Sequence, residues 1–550
     1  MDAQRKGYRI DMRVSLEALK DRAGWEKAGV RLPVFDIGAM KEKTNEAPLW
    51  VHFGAGNIFR AFIAVLQQRL LDAGLSDRGI IAADTFDVDN IRMIYGGYDN
   101  LTLSVTLNAD ATIDKEIVAS VSEAVVSQPA EQADYARLLR AFAAPSLQMI
   151  SFTITEKGYA LRQIDGSYQK IVEEDMKNGP EKARHAMTIV TALLYHRYRN
   201  GKTPLAVVSM DNCSHNGEKL QSSILEVARA WQAEGFVPKD FVRWLSDETQ
   251  VSFPWSMIDK ITPRPAPEVQ RMLEEAGIEA VAPLETPRGT FVAPFVNAEK
   301  AQYLVVEDKF PNGRPPLEKA GVYFTDRETV NKTERMKVTT CLNPLHTALA
   351  VYGCLLGYTL IRDEMKDEDL VKLIRRLGYQ EGLPVVTDPG ILSPKAFIDE
   401  VVEERLPNPF MPDAPQRIAT DTSQKVGIRF GETIKSYLAE GRSMDQLVAL
   451  PLAIAGWLRY LLGADDAGNA MPLSGDPLLE ELRAMLAGIE LGRPETCGDK
   501  LKPILSNPMI FGSDLTCCAL GERITGYFLD EIRGPGAVRE TLHNTLNSEL

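Results

Sequence analysis

Residues 48–66 read Pro48-Leu49-Trp50-Val51-His52-Phe53-Gly54-Ala55-Gly56-Asn57-Ile58-Phe59-Arg60-Ala61-Phe62-Ile63-Ala64-Val65-Leu66. A short apolar run, Pro48–Phe53, has the character of a buried strand. A glycine pair follows, then a helical pattern over Phe62–Leu71, then a second apolar run, Gly79–Ala83. Strand, glycine turn, helix and strand in that order form the opening unit of a dinucleotide-binding sheet. Glycine at 54 and 56 lets the backbone turn tightly and approach a pyrophosphate, whose charge meets the free N–H groups of a helix start. Gly54, Gly56, Asn57 and Arg60 are the residues expected at the cofactor, with Arg60 placed to pair with a phosphate. The third glycine of the usual fingerprint is replaced by Phe59, so a plain glycine turn stays open as the alternative. Asp84, Asp87 and Asp89 stand at the end of the second strand. A carboxylate there bonds the ribose hydroxyls and repels a 2′-phosphate, which favours NAD over NADP. Their distance from Gly54 exceeds the usual ~20 residues, and a solvated acidic turn is the plainer alternative.

Moving outward, apolar strands continue to alternate with helices. Leu147–Ile154 and Leu205–Met210 read as strands, with a helix near Ala183–Tyr198 between them. That alternation predicts a parallel sheet. Lys309–Pro316 is turn-rich punctuation. Beyond about residue 328 helical periodicity dominates: Leu345–Leu356, Asp367–Leu377, Ile434–Leu438, Leu447–Leu462 and Leu478–Leu486. Before residue 48 the chain reads as a charged helical arm ending in a polar connector, Lys41–Asn45. The expected organisation is an N-terminal arm over 1–47, an α/β Rossmann-type domain over 48–327 and a mostly α-helical domain over 328–550, with ligands in the cleft between the last two.

Composition narrows the function classes. The 550 residues are 45% hydrophobic and 25% charged, as in an ordinary globular protein. The net charge of −14 argues against a nucleic-acid partner. The first 25 residues lack the apolar core of a signal peptide. The longest apolar run, Leu447–Leu458, contains Pro451 and is too short to span a bilayer. No membrane partner is expected. Six cysteines without a CxxC pair argue against disulfides and structural zinc and suit a cytoplasmic location.

A second cluster opens the helical region: Glu334-Arg335-Met336-Lys337-Val338-Thr339-Thr340-Cys341-Leu342-Asn343-Pro344-Leu345-His346. A dehydrogenase without a metal needs a base for the alcohol proton and donors for the developing alkoxide. A desolvated lysine can serve as that base, and asparagine amides can hold an oxyanion. Taken singly these residues have plainer readings: a surface lysine, a core histidine, and Asn343-Pro344 as an N-cap with proline at the first helical position. At ~100° per residue Lys337 and His346 fall on opposite faces of a regular helix. They share a site only if the chain breaks or bulges, so a π-bulge or helix restart is predicted between Val338 and Pro344.

With these stretches on the page, the sequence resembles the long-chain, metal-independent mannitol dehydrogenase family. The resemblance is carried by His52-Phe53-Gly54-Ala55-Gly56 with Arg60, by Thr153-Ile154-Thr155-Glu156-Lys157-Gly158-Tyr159, and by Ser209-Met210-Asp211-Asn212 with His215-Asn216-Gly217. Further on come Val251-Ser252-Phe253-Pro254 with Asp259-Lys260-Ile261-Thr262-Pro263, and Glu307-Asp308-Lys309-Phe310 with Asn312-Gly313-Arg314-Pro315. The lysine–asparagine–histidine cluster, Asp421-Thr422-Ser423-Gln424-Lys425 and Ala455-Gly456-Trp457-Leu458-Arg459-Tyr460 complete it, in order over roughly residues 48–465.

The resemblance implies NAD as cofactor, a Rossmann domain and a helical substrate domain. It implies Lys337 as general acid/base, Asn212 and Asn343 as an oxyanion hole, His346 orienting the substrate, and Glu334 as a proton relay. Asp259, Arg417 and Lys425 fall at substrate-binding positions, and Thr155 and Glu156 beside the cofactor. The motifs Thr-Glu-Lys-Gly-Tyr and Ser-Gln-Lys are similar to those of the mannonate-type members. That implies interconversion of D-mannonate and D-fructuronate by hydride transfer at C2, with a cation such as Arg417, Lys425 or Lys157 for the substrate carboxylate. A solvated Lys157 is its alternative. A mannitol 2-dehydrogenase or other polyol dehydrogenase, a tagaturonate reductase, and a non-catalytic sensor of NAD(H) or a sugar acid remain open. Zinc-dependent chemistry fits poorly, because the cysteines show no metal spacing. The chain departs from the family in having one residue more between lysine and asparagine, Pro344-Leu345 for the usual Gly-Ser before the histidine, and Asn57-Ile58-Phe59 with Phe62 around Arg60 for a histidine-containing pattern.

Overall fold

The computed structural model describes residues 12–287, 289 and 291–548. The chain forms two compact units: one runs to Asn108 and from Thr112 to Asn331, and the other comprises Ala109–Ala111 and Lys332 onward.

The first unit is built on a six-stranded sheet. Its strands are β1 (Trp50–Phe53), β2 (Ile80–Asp84), β3 (Val121–Val126), β4 (Met149–Phe152), β5 (Leu205–Ser209) and β6 (Val251–Ser252). All neighbours are parallel, in the order β3-β2-β1-β4-β5-β6. This is the 3-2-1-4-5-6 order of a doubly wound dinucleotide-binding sheet, with the topological switch between β1 and β4. The apolar runs read as strands because both sheet faces are covered. Val51, Ile81, Ile150 and Val207 lie in one core with Leu193, Leu220 and Trp231 of the flanking helices, Ala186–Arg199 and Asn216–Ala233. Arg197 is buried in the first of these helices. It donates to the carbonyls of Phe142, Ala144, Leu147, Thr203 and Pro204, which tie down the entries to β4 and β5. Five carbonyl acceptors are what make a buried guanidinium tolerable there.

A four-stranded sheet in the same unit was not legible in the apolar pattern. Thr102–Leu107 and Ile113–Val118 pair antiparallel, with Phe295–Glu299 and Val30–Arg31 parallel at the two edges. Ser256–Asp259, Tyr303–Glu307 and Tyr323–Thr325 form a third sheet. The reading of residues 1–47 as a helical arm needs correction where it is described; residues 1–11 lie outside the described residues. Helices Arg22–Lys27 and Ile37–Glu46 flank the strand Val30–Arg31, which is part of the first unit's sheet. Lys41–Asn45 is the body of a helix rather than a connector. Its start is capped by Asp36, whose carboxylate accepts the Ala39 N–H.

The second unit is helical. Ala449–Tyr460 is buried along its whole length. Pro451 costs it little, because N–H groups in the first turn have no helical partner. The neighbouring N–H groups of Val448, Ala449 and Leu450 are instead taken by the buried Glu381 carboxylate. Among the described residues no helix is long and apolar enough to cross a membrane.

Candidate functional site

In the first unit the glycine turn leaves β1 at the switch point. Every polar group of its first peptides is held. Gly54 N–H donates to the Ala83 carbonyl at 2.8 Å. Ala55 N–H donates to Asp84 Oδ2 at 3.1 Å, and the Ala55 carbonyl accepts from Asn90 Nδ2 and the Tyr95 hydroxyl, each at 2.9 Å. Gly54 has φ +103, and a Cβ there would stand 2.2 Å from the Thr153 carbonyl oxygen. Only glycine fits. A Cβ on Gly56 would meet nothing within 4 Å. That open approach suits a pyrophosphate over the turn. Phe59, in place of the third glycine, stacks on His52 with ring centroids 4.3 Å apart. It begins a π-turn, Phe59–Ile63, that precedes the helix Ala64–Asp72. The wide turn and the stacked ring fill the space a third glycine would leave for close packing.

Asp84 ends β2 as expected. Its carboxylate accepts N–H groups from Ala55, Phe86 and Asp87. Burial pushes its pKa up, and these N–H groups pull it back. Asp87 caps the short helix Val88–Asn90 by accepting the Asn90 N–H, and Asp89 is half-buried within that helix. Arg60 is buried. Its Nε donates to Thr102 Oγ1 at 3.1 Å, and one terminal nitrogen lacks a hydrogen-bond partner among the described residues. Burial lowers its pKa to about 10, so it remains a cation.

At the carboxyl ends of β4 and β5, Asp211 organises the next loop. Its carboxylate accepts the Ile154 N–H (2.9 Å), the Thr155 N–H (2.8 Å) and the Tyr159 hydroxyl (2.5 Å). Thr155, held at φ +64, is exposed, as are Glu156, which pairs with Lys219, and Lys157. Asn212 is exposed on the loop after β5, and Asp259 is buried at the end of its strand. Asn216 belongs to the His215-Asn216-Gly217 motif but was given no role from the sequence. Its amide donates to the carbonyls of Ser209, Asp211 and Ser256, and its oxygen accepts the Ser256 N–H. It therefore fixes the Asn212 loop and the Asp259 strand together. Its place in that motif was the sequence signal for it.

The helix Arg327–Met336, whose last five residues belong to the second unit, widens there into a π-turn over Lys337–Cys341 and restarts at Asn343. Leu342 N–H reaches back to the Lys337 carbonyl at 3.1 Å, and Leu342 itself lies at φ −130, ψ −62. The break expected between Val338 and Pro344 is present. A π-turn holds one extra residue, which removes ~100° from the angle between Lys337 and His346. Lys337 is buried at 3% exposure, whereas Glu334 is half-buried on the preceding helix. Asn343 is not an N-cap. Leu342 occupies that position, and the half-buried Asn343 amide makes no hydrogen bond among the described residues.

His346 lies one turn on, mostly buried. Its Nε2 has no hydrogen-bond partner among the described residues and stands 3.9 Å from Asp413 Oδ2. Burial lowers its pKa to about 4. Asp413 opposes that shift, and Arg429, Arg417 and Arg405 reinforce it. Arg417 is exposed and pairs with Asp413. Lys425 is half-buried and donates to the Thr420 carbonyl. Arg429 donates to Thr347 Oγ1, next to His346, and Arg405 is buried. Arg405 and Arg429 were missed by the sequence reading, which had no spacing rule to single them out.

The buried histidines give a stability prediction. His52 is lowered to about 3 and His346 to about 4. Both stay neutral in the fold while the unfolded chain binds protons below about 6.5. Their contribution is complete above that pH and is lost as pH falls toward 4. The loss is about 2 kcal/mol per histidine at about pH 5. Urea midpoints should fall accordingly on acidification, and His346→Gln should fall less. An unchanged acid slope in that variant would contradict the assignment.

Among the described residues no group of three or more His, Cys, Asp or Glu side chains is placed to hold a metal ion. Residues 49–319 match the mannitol dehydrogenase Rossmann domain, and residues 329–525 the mannitol dehydrogenase C-terminal domain. The chain is 52% identical over 542 residues to the D-mannonate oxidoreductase of Thermotoga maritima, covering 98% of this chain and 100% of that one. It is 29% identical to the polyol:NADP oxidoreductase of Gluconobacter oxydans, over 84% of this chain and 88% of that one. Among solved structures, the mannitol 2-dehydrogenase of Pseudomonas fluorescens in ternary complex with NAD and D-mannitol superposes with a TM-score of 0.67 at 24% identity. That match covers 98% of this chain and 100% of that one.

Proposed function

The chain belongs to the mannitol dehydrogenase family of oxidoreductases, and from that membership we propose that it interconverts D-mannonate and D-fructuronate with NAD(H). The observation that carries a sugar acid over a polyol is the charge around His346. Arg429, Arg417 and Arg405 act on its ring, and Asp413 acts against them. A substrate carboxylate answers that excess of cations. The relationship to a D-mannonate oxidoreductase at 52% identity supports the same choice.

NAD(H), when bound, supplies or accepts the hydride at C2. Gly54 and Gly56 shape the turn for its pyrophosphate, and Asp84 favours a ribose with a free 2′-hydroxyl over a 2′-phosphate. A relative named for NADP belongs to the same family, so this preference is a property to be measured on this chain. The buried Lys337 ammonium gives a proton to the carbonyl oxygen during reduction, and its amine takes that proton back during oxidation. Glu334, on the preceding turn, is proposed to pass the proton to solvent. The Asn343 amide donates to the same oxygen, and Asn212 is assigned the same role. His346 stays neutral and offers its unpartnered Nε2 to a sugar hydroxyl. None of these steps calls on a metal ion. Lys157 and Arg417 are exposed, so the carboxylate is assigned to Arg429 and Arg405, with Lys425 beside Arg429.

Comparison of kcat/KM for D-fructuronate, D-tagaturonate and D-fructose, each with NADH and NADPH, tests the reading. D-fructuronate with NADH should rank first by about a hundredfold over the polyol-derived ketose, as one desolvated charge pair allows. Fructose ranking first would overturn it.

A further inference from the structure

His52 lies in β1, fully buried, two residues before the glycine turn, and has no part in the chemistry above. Its ring joins β1 to β4: Nδ1 is 2.7 Å from Ser151 Oγ, and Nε2 is 2.8 Å from Thr153 Oγ1. The chain continues at both ends. Trp50 Nε1–H donates to Ser151 Oγ at 2.6 Å, and Thr153 Oγ1 donates to the Gly54 carbonyl at 3.2 Å.

The proton positions follow from counting donors. An indole N–H only donates, so Ser151 Oγ accepts from Trp50 and its own proton is left for His52 Nδ1. Thr153 spends its single proton on the Gly54 carbonyl, so it must accept from His52 Nε2–H. The reverse arrangement leaves the Gly54 carbonyl without this donor and the Ser151 proton with no acceptor among the described residues. The ring is also kept neutral: burial lowers its pKa to about 3. One tautomer therefore satisfies all four side chains, in the order Trp50, Ser151, His52, Thr153, Gly54 carbonyl. Phe59, stacked on the ring, fixes its plane.

We propose that His52 is a positioning residue for the dinucleotide site, a buried relay protonated on Nε2 that sets the Gly54 carbonyl through Thr153. The peptide that joins Gly54 to Ala55 is held at both ends, its N–H by Asp84 from β2 and its carbonyl by Thr153 at the end of β4. The Ala55 peptide is already held by Asp84, Asn90 and Tyr95. The proposal rests on the assignment of this turn to the dinucleotide.

Two measurements on the full-length protein test it. In protein labelled with 15N-histidine, the His52 ring, identified by its absence in His52→Gln, should show a neutral imidazole with its proton on Nε2. It should do so at neutral pH and at about pH 5, where an ordinary histidine is charged. A proton on Nδ1, or an imidazolium, overturns the relay. In Thr153→Val the shape is kept and the link is cut. The Kd for NADH should rise about fivefold to tenfold, the scale of one hydrogen bond. The kcat at saturating NADH and the KM for the sugar should stay within about twofold, and Thr153→Ser should restore the affinity. An unchanged Kd in a folded Thr153→Val overturns the relay while leaving the site assignment intact. Absence of NADH binding by the wild type overturns the assignment itself. Should Thr153→Val not fold, the tautomer measurement decides alone.

Discussion

Lys337→Ala is expected to lower kcat about a thousandfold, within the range for removal of a general acid/base, while the Kd for NADH stays unchanged. The glycine turn proposed for the dinucleotide is built from other residues, so the cofactor should not sense the change. Lys337→Arg should fail to restore turnover, because a guanidinium holds its proton too tightly to exchange it. The side chain is buried on a π-turn. Folding therefore needs checking by urea denaturation, with Lys337→Met preserving most of the volume. A folded Lys337→Ala enzyme with near-wild-type kcat would remove this mechanism.

Arg429→Gln is expected to cut kcat/KM for D-fructuronate about a hundredfold, mainly through KM. A charge-assisted hydrogen bond lost from a half-buried site is worth about 1.5–3 kcal/mol. The guanidinium also donates to Thr347 Oγ1 beside His346, and glutamine retains a donor there. Any turnover of D-fructose, which lacks the carboxylate, should change by less than about threefold. An equal loss on both sugars would mean that Arg429 supports the fold around His346 and does not read the substrate's charge.

Four of the six parallel strands were legible because they are apolar on both faces. Met149–Phe152 and Leu205–Ser209 are buried throughout, and such short apolar runs alternating with helices read as buried strands. The antiparallel hairpin at 102–118 was not legible. Ile113–Val118 is Ile-Asp-Lys-Glu-Ile-Val, half-exposed at its start, and its run of charged residues looks like loop. The arm was misread for a related reason: Val30–Arg31 is only two residues long, and its pairing partner lies more than 80 residues away.

At the site, the clearest expectation came from a conflict. Nine residues of regular helix put Lys337 and His346 on opposite faces, so the chain had to break, and it widens at Lys337–Cys341 and restarts after Leu342. The extra residue between lysine and asparagine, relative to the family pattern, is what a wide turn can take up. Phe59 is the parallel case in the first unit. Its stacking on His52 shows how a fingerprint lacking its third glycine still closes. Arg405 and Arg429 were invisible, and Asn216 was seen only as part of a motif, because their roles depend on tertiary neighbours and not on spacing. Asn343-Pro344 misled in detail, because the helix takes Leu342 as its N-cap and leaves the asparagine amide for another partner.

The most direct test is a single turnover. Enzyme loaded with NADH and dialysed against a strong chelator is mixed with excess D-fructuronate, NADH absorbance is followed, and the sugar product is identified. The account predicts loss of one NADH per active site with formation of D-mannonate, at an unchanged rate after chelation. The reverse reaction should start from D-mannonate and NAD. No NADH oxidation with D-fructuronate, or oxidation that disappears with the chelator, would contradict it.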